Sequence, residues 1–282
     1  MNSIKTQKFQ QIQHLLRCPR CGADMYLEGN SLICSSGHCF DIAAKGYVNL
    51  SPGQKALKGY DQRFFENRRE IMEQGFYRHV MEGIRDYLSS VPGLRYILDA
   101  GCGEGYYAKN IAAYGLSHAS GQTVIALDLS KEAVRCASRG GNSVCWLVSD
   151  LSHIPLKDSS IDAVLNIFTP ANYGEFHRIL KEDGRLLKVI PGNAHLRELR
   201  EAVRGSIRNK EYSNLPVIDH FSRHFAVTQR ISLTRTISVE PDQLGALFDM
   251  TPLLFHVNKE ELEQLRISEI TIDALLLEGQ RF

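Results

Sequence analysis

The middle of the chain alternates short apolar runs with stretches of helical or turn character. The apolar runs cover residues 96–98, 123–127, 144–148, 161–168 and 185–190. Runs of this length, separated by helical stretches, are typical of buried strands in a parallel sheet. The pattern therefore predicts an α/β fold in which helices pack on both faces of the sheet.

The flanking regions complete this pattern. After the alternating region, residues 231–238 and 267–277 alternate well enough to predict two strands of a closing antiparallel hairpin. Near the start, the segments 25–27 and 31–33 surround the turn sequence Glu28-Gly29-Asn30 and predict a small hairpin. Helices are predicted over residues 63–71, 80–88, 241–248 and 259–265.

Length and composition place the chain among globular proteins. It has 282 residues, 43% of them hydrophobic and 23% charged, which suits about two domains. No apolar run is long enough for a membrane helix, and the polar, Gln-rich start lacks the centre of a signal peptide, so a cytoplasmic protein without membrane contact is expected. The net charge of +1 gives no sign of a dedicated nucleic-acid binder.

Four residues near the start have the spacing of zinc ligands. Cys18 and Cys21 are followed by Cys34 and His38 in a C-x2-C-x12-C-x3-H pattern, which can close a tetrahedral shell. Cys39 is an alternative fourth ligand at this point. So small a module has little core, so a bound metal is expected to supply most of its folding free energy, on the order of 10 kcal/mol.

A glycine-rich loop follows the first strand of the predicted sheet. Asp99 is followed by Gly101, Gly103 and Gly105 at alternating positions, which allow a sharp strand-to-helix turn with no β-carbon against a ligand. Dinucleotide enzymes favour G-x-G-x-x-G instead. The D-x-G-x-G-x-G pattern resembles motif I of class I S-adenosylmethionine-dependent methyltransferases, which implies a Rossmann-like seven-stranded sheet.

Two acids follow the loop at the ends of the next two strands. Asp128 ends the second strand, where a carboxylate can accept both ribose hydroxyls of a nucleoside. Asp150 ends the third, where it could accept from an adenine amine while Leu151 packs on the ring. Each acid alone would be read as a helix cap or a turn residue. Together with the loop they indicate a site for S-adenosylmethionine.

The fourth strand ends where a methyltransferase of this class faces the transferred methyl group. Asn166 and Phe168 stand there, followed by a single Pro170, which departs from the pattern of methylases that act on exocyclic amines of DNA. Asn166 and Phe168 are the candidate catalytic residues, and Phe168 or Tyr173 could stack on a splayed base. Phe168 could equally be a core aromatic residue, and the general base is not evident.

Motifs spread over nearly the whole chain make the resemblance specific. They are Cys18-x2-Cys21, Cys34-x3-His38, Phe40-Asp41, Lys45 to Leu50, Arg68-Arg69, Gly75-x-Tyr77, Asp99 to Tyr107, His195-Leu196 and Met250-Thr251-Pro252. Together they are similar to the 23S rRNA (guanine-N1)-methyltransferase family A. The segment from Thr169 to Phe176 and the run from Lys188 to Pro191 resemble its Gram-positive branch.

This resemblance implies the partners and the site. The substrate would be a guanine, methylated at N1, in a 23S rRNA hairpin loop that lines the macrolide-binding exit tunnel, and the protein would be a homodimer. Met250-Thr251-Pro252 would lie near the substrate entrance. Contacts to S-adenosylmethionine would come from Tyr77, Gly103, Glu104 and His195, and the zinc ligands would be Cys18, Cys21, Cys34 and His38.

The expected organisation has three parts and one basic surface. Residues 1–50 would form a zinc-binding, RNA-recognition module, 51–92 a helical connector with a linker at 51–60, and 93–282 the methyltransferase domain. If one helix continues through residues 197–208, four arginines share a face that would contact phosphates or simply be solvated: Arg197, Arg200, Arg204 and Arg208.

Two alternatives to an rRNA methyltransferase remain open from the sequence. One is a methyltransferase of the same fold acting on another RNA or a small molecule, and the other is a binding module with an inactive domain.

Overall fold

The computed structural model describes residues 4–51, 53, 61–140, 143–206 and 212–282. The linker expected at residues 51–60 lies almost wholly outside these ranges, and so does Arg208 of the expected basic surface.

Among its described residues, the N-terminal part contains one α-helix, a short 3-10 helix (Gln13–Leu15) and four short strands. The hairpin predicted around Gly29 is confirmed: Met25 pairs with Cys34 and Glu28 with Ser31. The first helix was not predicted, because its Gln-rich sequence hides two core side chains, Phe9 and Ile12, which are fully buried. These elements are α1 (Ile4–Ile12), β1 (Met25–Glu28), β2 (Ser31–Cys34), β3 (Cys39–Asp41) and β4 (Tyr47–Asn49).

The remaining elements follow the predicted alternation. In chain order they are α2 (Gln62–Glu73), α3 (Arg78–Ser90), β5 (Tyr96–Ala100), α4 (Tyr106–Ser117), β6 (Thr123–Asp128), α5 (Lys131–Ala137), β7 (Cys145–Val148), β8 (Ile161–Ile167), α6 (Tyr173–Ile179), β9 (Leu180–Pro191), α7 (Arg197–Ala202), α8 (Leu215–Ser222), β10 (Ala226–Ser238), α9 (Pro241–Asp249), α10 (Lys259–Glu263) and β11 (Glu269–Gln280). The helices and strands predicted from periodicity are therefore present, with β9 and β10 longer than expected.

The main sheet has eight strands in the order β10-β11-β9-β8-β5-β6-β7-β4. Strands β9, β8, β5, β6, β7 and β4 run parallel, whereas β11 pairs antiparallel with both β9 and β10. The seven strands from β10 to β7 in this order form the expected sheet, and an eighth strand is added at its edge. The extra strand is β4, from the N-terminal part, which pairs with β7 by placing Tyr47 opposite Trp146.

Alternate residues of the central strands belong to two hydrophobic cores, one on each face of the sheet. On one face, Ile97 and Trp146 pack with helices α2 to α5. On the other, Leu98 and Leu147 pack with α1, α6 and α8. The buried residues of the zinc-ligand region, including Cys18 and Phe40, belong to this second core. The N-terminal module is thus packed onto the sheet rather than standing apart from it.

Parallel strands bring their carboxyl ends to one edge of the sheet, and ligand sites of such sheets form there. β5, β6, β7, β8 and β9 all end at this edge. Within the described ranges, every helix is too short or too polar to cross a membrane.

Candidate active site and metal centre

The four predicted zinc ligands lie together. Their ligand atoms, from Cys18, Cys21, Cys34 and His38, are all within 4.8 Å of one another. The sulfurs of Cys21 and Cys34 are 3.7 Å apart, and Nδ1 of His38 is 3.5 Å from the sulfurs of Cys18 and Cys34. Metal bonds of about 2.3 Å to sulfur and about 2.0 Å to nitrogen give such separations in a tetrahedron. Cys39 is not in this group.

The glycine loop turns sharply between β5 and α4. Gly101, Gly103 and Gly105 all have positive φ, of 84°, 54° and 83°, which favours glycine over other residues. A β-carbon on Gly105 would lie 2.5 Å from the Trp146 ring, so this glycine is required for packing. A β-carbon on Gly103 would meet only Arg68 Nε, at 3.8 Å, so its side-chain position is open space into which a ligand can come close to the backbone.

Asp128 fixes the conformation of this loop. Its Oδ2 accepts a hydrogen bond from the Gly103 amide at 2.9 Å, and its Oδ1 accepts one from the Ser130 amide at 2.8 Å. Burial raises the pKa of Asp128, while the two amides act to lower it. At the end of the next strand, Asp150 accepts from the Ser152 amide at 2.8 Å. Both acids therefore double as turn residues at the two strand ends.

A second pair of acids lies behind the loop. Asp99 and Glu104 each have only 1% of their surface exposed. Glu104 accepts from Nε of Arg68 at 2.7 Å, while Oδ2 of Asp99 is buried without a hydrogen-bond partner among the described residues. Burial, with the Glu104 and Asp128 charges adding, raises the pKa of Asp99 to about 7. The protonated form of Asp99 is therefore favoured beside these two acids.

Three rings meet at the end of β8. Phe168 lies 5.7 Å from the Tyr77 ring and 5.9 Å from the His195 ring, measured between centroids. Phe168 also has a left-handed backbone, with φ of 52°, which a non-glycine residue seldom adopts. Burial lowers the pKa of His195 to about 4, and Nδ1 of His195 accepts from the Asp273 amide at 3.3 Å. His195 is therefore neutral at pH 7, with its proton on Nε2.

Asn166 is fully buried and serves the loop that carries Phe168. Its Nδ2 donates to the carbonyls of Ala100 at 3.2 Å and Pro170 at 3.0 Å. Its Oδ1 accepts from Nζ of Lys188, which also donates to the Thr169 carbonyl at 2.6 Å. Asn166 and Lys188 thus fix the conformation of this loop, and no surface of Asn166 is exposed.

A cavity of about 710 Å³ opens at this edge of the sheet. It is also lined by the Met250-Thr251-Pro252 segment, which was expected near a substrate entrance. The predicted site residues that line it are Tyr77, Gly101, Gly103, Asp128, Asp150, Leu151, Phe168 and His195. The predicted residues that do not line it are Asp99, Glu104, Gly105 and Asn166.

Two expectations from the sequence are corrected here. Helix α7 ends at Ala202, so the arginines do not form one continuous helical face: Arg197 pairs with Glu198 at 2.9 Å, whereas Arg200 lines the cavity. Tyr173 is 5% exposed and stacks on the His224 ring, away from the cavity lining, so it is not available to stack on a base.

The sequence did not place three of the cavity residues there: Arg68, Arg200 and Tyr212. Arg68 lies one turn beyond Phe64 on α2, but its neighbour Arg69 has the same chemistry and forms an ordinary surface pair with Glu73. Arg200 was one of several evenly spaced arginines, and Tyr212 stood in a polar segment without periodicity. Their roles depend on tertiary placement, which only the fold reveals.

The fold and the site together define the class of protein. A chain of the solved structure "Complex between the Haloferax volcanii Trm112 methyltransferase activator and the putative methyltransferase" aligns with a TM-score of 0.52 and 18% identity, over 80% of this chain and 99% of that one. The family model described as "Methyltransferase domain" matches residues 98–189, and "RlmA, N-terminal" matches residues 16–57. This protein is a class I S-adenosylmethionine-dependent methyltransferase with an N-terminal zinc ribbon.

Relatives along nearly the whole chain give the particular family. The Bacillus subtilis protein named "Putative 23S rRNA (guanine-N(1)-)-methyltransferase YxjB" is 34% identical over 95% of this chain and 97% of its own. The Streptomyces fradiae 23S rRNA (guanine(748)-N(1))-methyltransferase is 30% identical over 93% of this chain and 92% of its own. The chain belongs to the 23S rRNA (guanine-N1)-methyltransferase family.

Proposed function

We propose that this protein methylates N1 of a guanine in a hairpin loop of 23S rRNA, near the macrolide-binding exit tunnel. The observation that carries the proposal is the similarity of the whole chain, zinc ribbon included, to 23S rRNA (guanine-N1)-methyltransferases. The Streptomyces fradiae relative is named for guanine 748, so the corresponding guanine is the first target to test. A methyltransferase acting on a small molecule would have no need of the ribbon.

The cavity residues suggest how S-adenosylmethionine would be held. Asp128 would accept from the ribose hydroxyls, Asp150 would accept from the adenine amine, and Leu151 would pack on the ring. Gly103 would let the ligand lie against the backbone. Gly101 also lines the cavity, but it is needed for packing, because a β-carbon there would lie 2.6 Å from the Thr169 hydroxyl. Gly105 and Asp99 would support the loop from the side away from the cavity. Arg68 would hold the carboxylate end, with Glu104 fixing the guanidinium through their 2.7 Å ion pair.

The residues around Phe168 would orient the guanine for methyl transfer. When bound, S-adenosylmethionine supplies an electrophilic methyl group on a sulfonium sulfur. The Phe168 ring would stack on the splayed base, and its rigid loop, held by Asn166 and Lys188, would fix the base in line with the methyl group. Burial raises the pKa of Tyr77 to about 12, and His195 is neutral. The Tyr77 hydroxyl and the His195 Nε2–H group can therefore donate hydrogen bonds without adding charge beside the sulfonium.

Three parts of the chain would have separate roles in this function. Residues 1–50 would recognise RNA, 51–92 would connect, and 93–282 would carry the methyltransferase site, although β4 of the first part joins the main sheet. We further propose that the protein works as a homodimer in the cytoplasm, where ribosomal RNA is its substrate.

Incubation with tritiated S-adenosylmethionine tests the proposal. The substrates are 23S rRNA, a transcript of the hairpin region, the same transcript with the target guanine changed to adenine, and a panel of small-molecule acceptors. We expect tritium in the first two only. Equal labelling of the adenine transcript, or labelling confined to the small molecules, would contradict the proposed substrate.

A further inference from the structure

The cavity has a half that the cofactor does not account for. Asp150, Asp128 and Gly103 lie at the ends of β7, β6 and β5, and so belong to the nucleoside side. Beyond Phe168 at the end of β8, the lining continues over the end of β9 to Pro191, Arg200 and Tyr212. Because β9 lies on the far side of β8 from β5, this second half faces the place where the acceptor base would enter.

Arg200 is held in a fixed position in this second half. Its guanidinium carbon lies 5.6 Å from the centroid of the Tyr212 ring, and its Nη2 donates to the Asn193 carbonyl at 2.5 Å. Tyr212 is itself fixed, since its hydroxyl donates to the Pro191 carbonyl at 3.2 Å. An arginine that both stacks and donates loses little further freedom when it binds a ligand.

One accessible donor of this guanidinium is left over. Nη2 donates to Asn193 and Nε is buried from solvent, whereas Nη1 is not buried and has no hydrogen-bond partner among the described residues. Arg200 lines the cavity, so a molecule bound there can accept from Nη1 without any movement of the side chain. A hydrogen bond from a charged donor to such a ligand is among the stronger ones in proteins.

We propose that Arg200 recognises the acceptor guanine by donating from Nη1 to O6, and that Tyr212 is a positioning residue for Arg200. This inference rests on the proposed function. Arginine commonly binds guanine at O6, and approach from the N7 side leaves N1 free to react. Adenine carries an amino group at the same position, so a donor would meet a donor and adenine would be rejected.

The same contact assists the reaction. In the transfer, the N1–H bond breaks and the proton passes to water, the N1–CH3 bond forms, and the bond from the methyl carbon to sulfur breaks with its electron pair left on sulfur. Loss of the N1 proton places negative charge on O6, where the Arg200 guanidinium would stabilise it. Arg200 therefore favours the deprotonated guanine, which is the better nucleophile.

The test compares Arg200→Gln with Arg95→Gln. Arg95 is a matched control, because its guanidinium carbon lies 5.2 Å from the Tyr96 ring but it is exposed at the opposite edge of the sheet. On the hairpin transcript at pH 7, Arg200→Gln should lower kcat/KM about 100-fold, the usual cost of one preorganised donor. Arg95→Gln should retain wild-type activity, and both should keep the wild-type Kd for S-adenosylmethionine and the wild-type Tm.

The pH profile distinguishes this role from a structural one. The deficit of Arg200→Gln should shrink as pH rises, because hydroxide then removes the N1 proton without help. Arg200→Lys, which keeps the charge, should recover part of the rate, and Tyr212→Ala should lose more than Tyr212→Phe.

Three results would overturn the proposal: wild-type activity of Arg200→Gln, a deficit independent of pH, or a weakened Kd for S-adenosylmethionine, which would assign Arg200 to the cofactor. Failure of the wild-type protein on every 23S transcript would instead contradict the proposed function.

Discussion

At the scale of residues, Asp128 holds the glycine loop in place and is also the proposed contact for the ribose of the cofactor. Its two oxygens accept from the amides of Gly103 and Ser130 and so set the loop before any ligand arrives. Each oxygen keeps a further lone pair, because a carboxylate offers about four acceptor positions. In the proposed binding mode, the loop conformation and the contact with the ribose would therefore depend on one side chain.

Asp128→Asn should weaken S-adenosylmethionine binding by about 10- to 100-fold, the equivalent of one or two charge-assisted hydrogen bonds. The matched control is Asp162→Asn, since Asp162 likewise accepts from two backbone amides, those of Arg95 and Tyr96, at the opposite edge of the sheet. Isothermal titration should show a raised Kd for the first variant and an unchanged Kd for the second. Equal affinities in both would contradict the assignment of Asp128.

Asp99 gives the protein a defined pH dependence. Its pKa is raised to about 7 in the fold, from about 3.9 in an unfolded chain, so the native state holds the extra proton between these values. Its contribution to stability is therefore complete below about pH 4 and is lost as pH rises to about 7. Asp99→Asn imitates the protonated acid and removes this dependence.

Urea unfolding of the cofactor-free protein at pH 5, 6, 7 and 8 checks this. The free energy of unfolding of Asp99→Asn, minus that of the wild type, should increase from pH 5 to pH 7 and then level off. A difference that stays constant with pH, or that falls, would show that Asp99 is already ionised in the fold.

At the scale of elements, two glycines have different roles in the turn from β5 into α4. Gly105 packs against Trp146, whereas Gly103 faces the cavity. Alanine at either position must adopt a left-handed conformation, at a cost of about 1–2 kcal/mol. Only at position 105 does the β-carbon also meet a buried ring, which adds about 1–3 kcal/mol of overpacking.

Gly105→Ala should therefore unfold at a clearly lower temperature than Gly103→Ala. Gly103→Ala should lose more affinity for S-adenosylmethionine than its small loss of stability explains, because its methyl group occupies ligand space. Thermal unfolding and cofactor titration of the two variants give the answer. The reverse order of stabilities would contradict the packing, and full affinity in Gly103→Ala would contradict the ligand position.

Elements of the sheet were predictable from the sequence because their apolar runs are long and bounded by turn residues. Helix α1 was missed because two buried side chains, Phe9 and Ile12, stand among glutamines, and β4 because a three-residue edge strand has no period of its own. The glycine loop and Asp128 follow from local spacing. Arg68 and Arg200 do not, because neighbouring arginines with the same chemistry face elsewhere.

At the scale of the whole molecule, the zinc ribbon and the sheet share one core. Cys18 and Cys34 are buried in the same cluster as Leu98 and Leu147 of the sheet, and β4 extends the sheet beside β7. Zinc binding is therefore expected to stabilise the sheet as well as the ribbon. The small size of the module predicted only that the metal supplies most of the module's own folding free energy.

Cys21→Ser should remove zinc and lower the single unfolding temperature of the whole protein, because the shared core couples the two parts. Cys39→Ser is the matched control, since Cys39 is exposed nearby but outside the ligand group. Calorimetry with metal analysis should show full zinc content and an unchanged transition for the control. Two separate transitions in Cys21→Ser, with the larger one unshifted, would contradict a shared core.

The activity proposed for the whole protein is one modification of one RNA. Methylation at N1 blocks the pairing edge of guanine, so reverse transcriptase stops one nucleotide before it. Primer extension through the hairpin of 23S rRNA, from a strain lacking the gene and from the same strain with the gene restored, measures this directly. We predict a single strong stop that appears only with the gene and disappears again with Asp128→Asn. A stop present in both strains, or absent from both, would contradict the central claim.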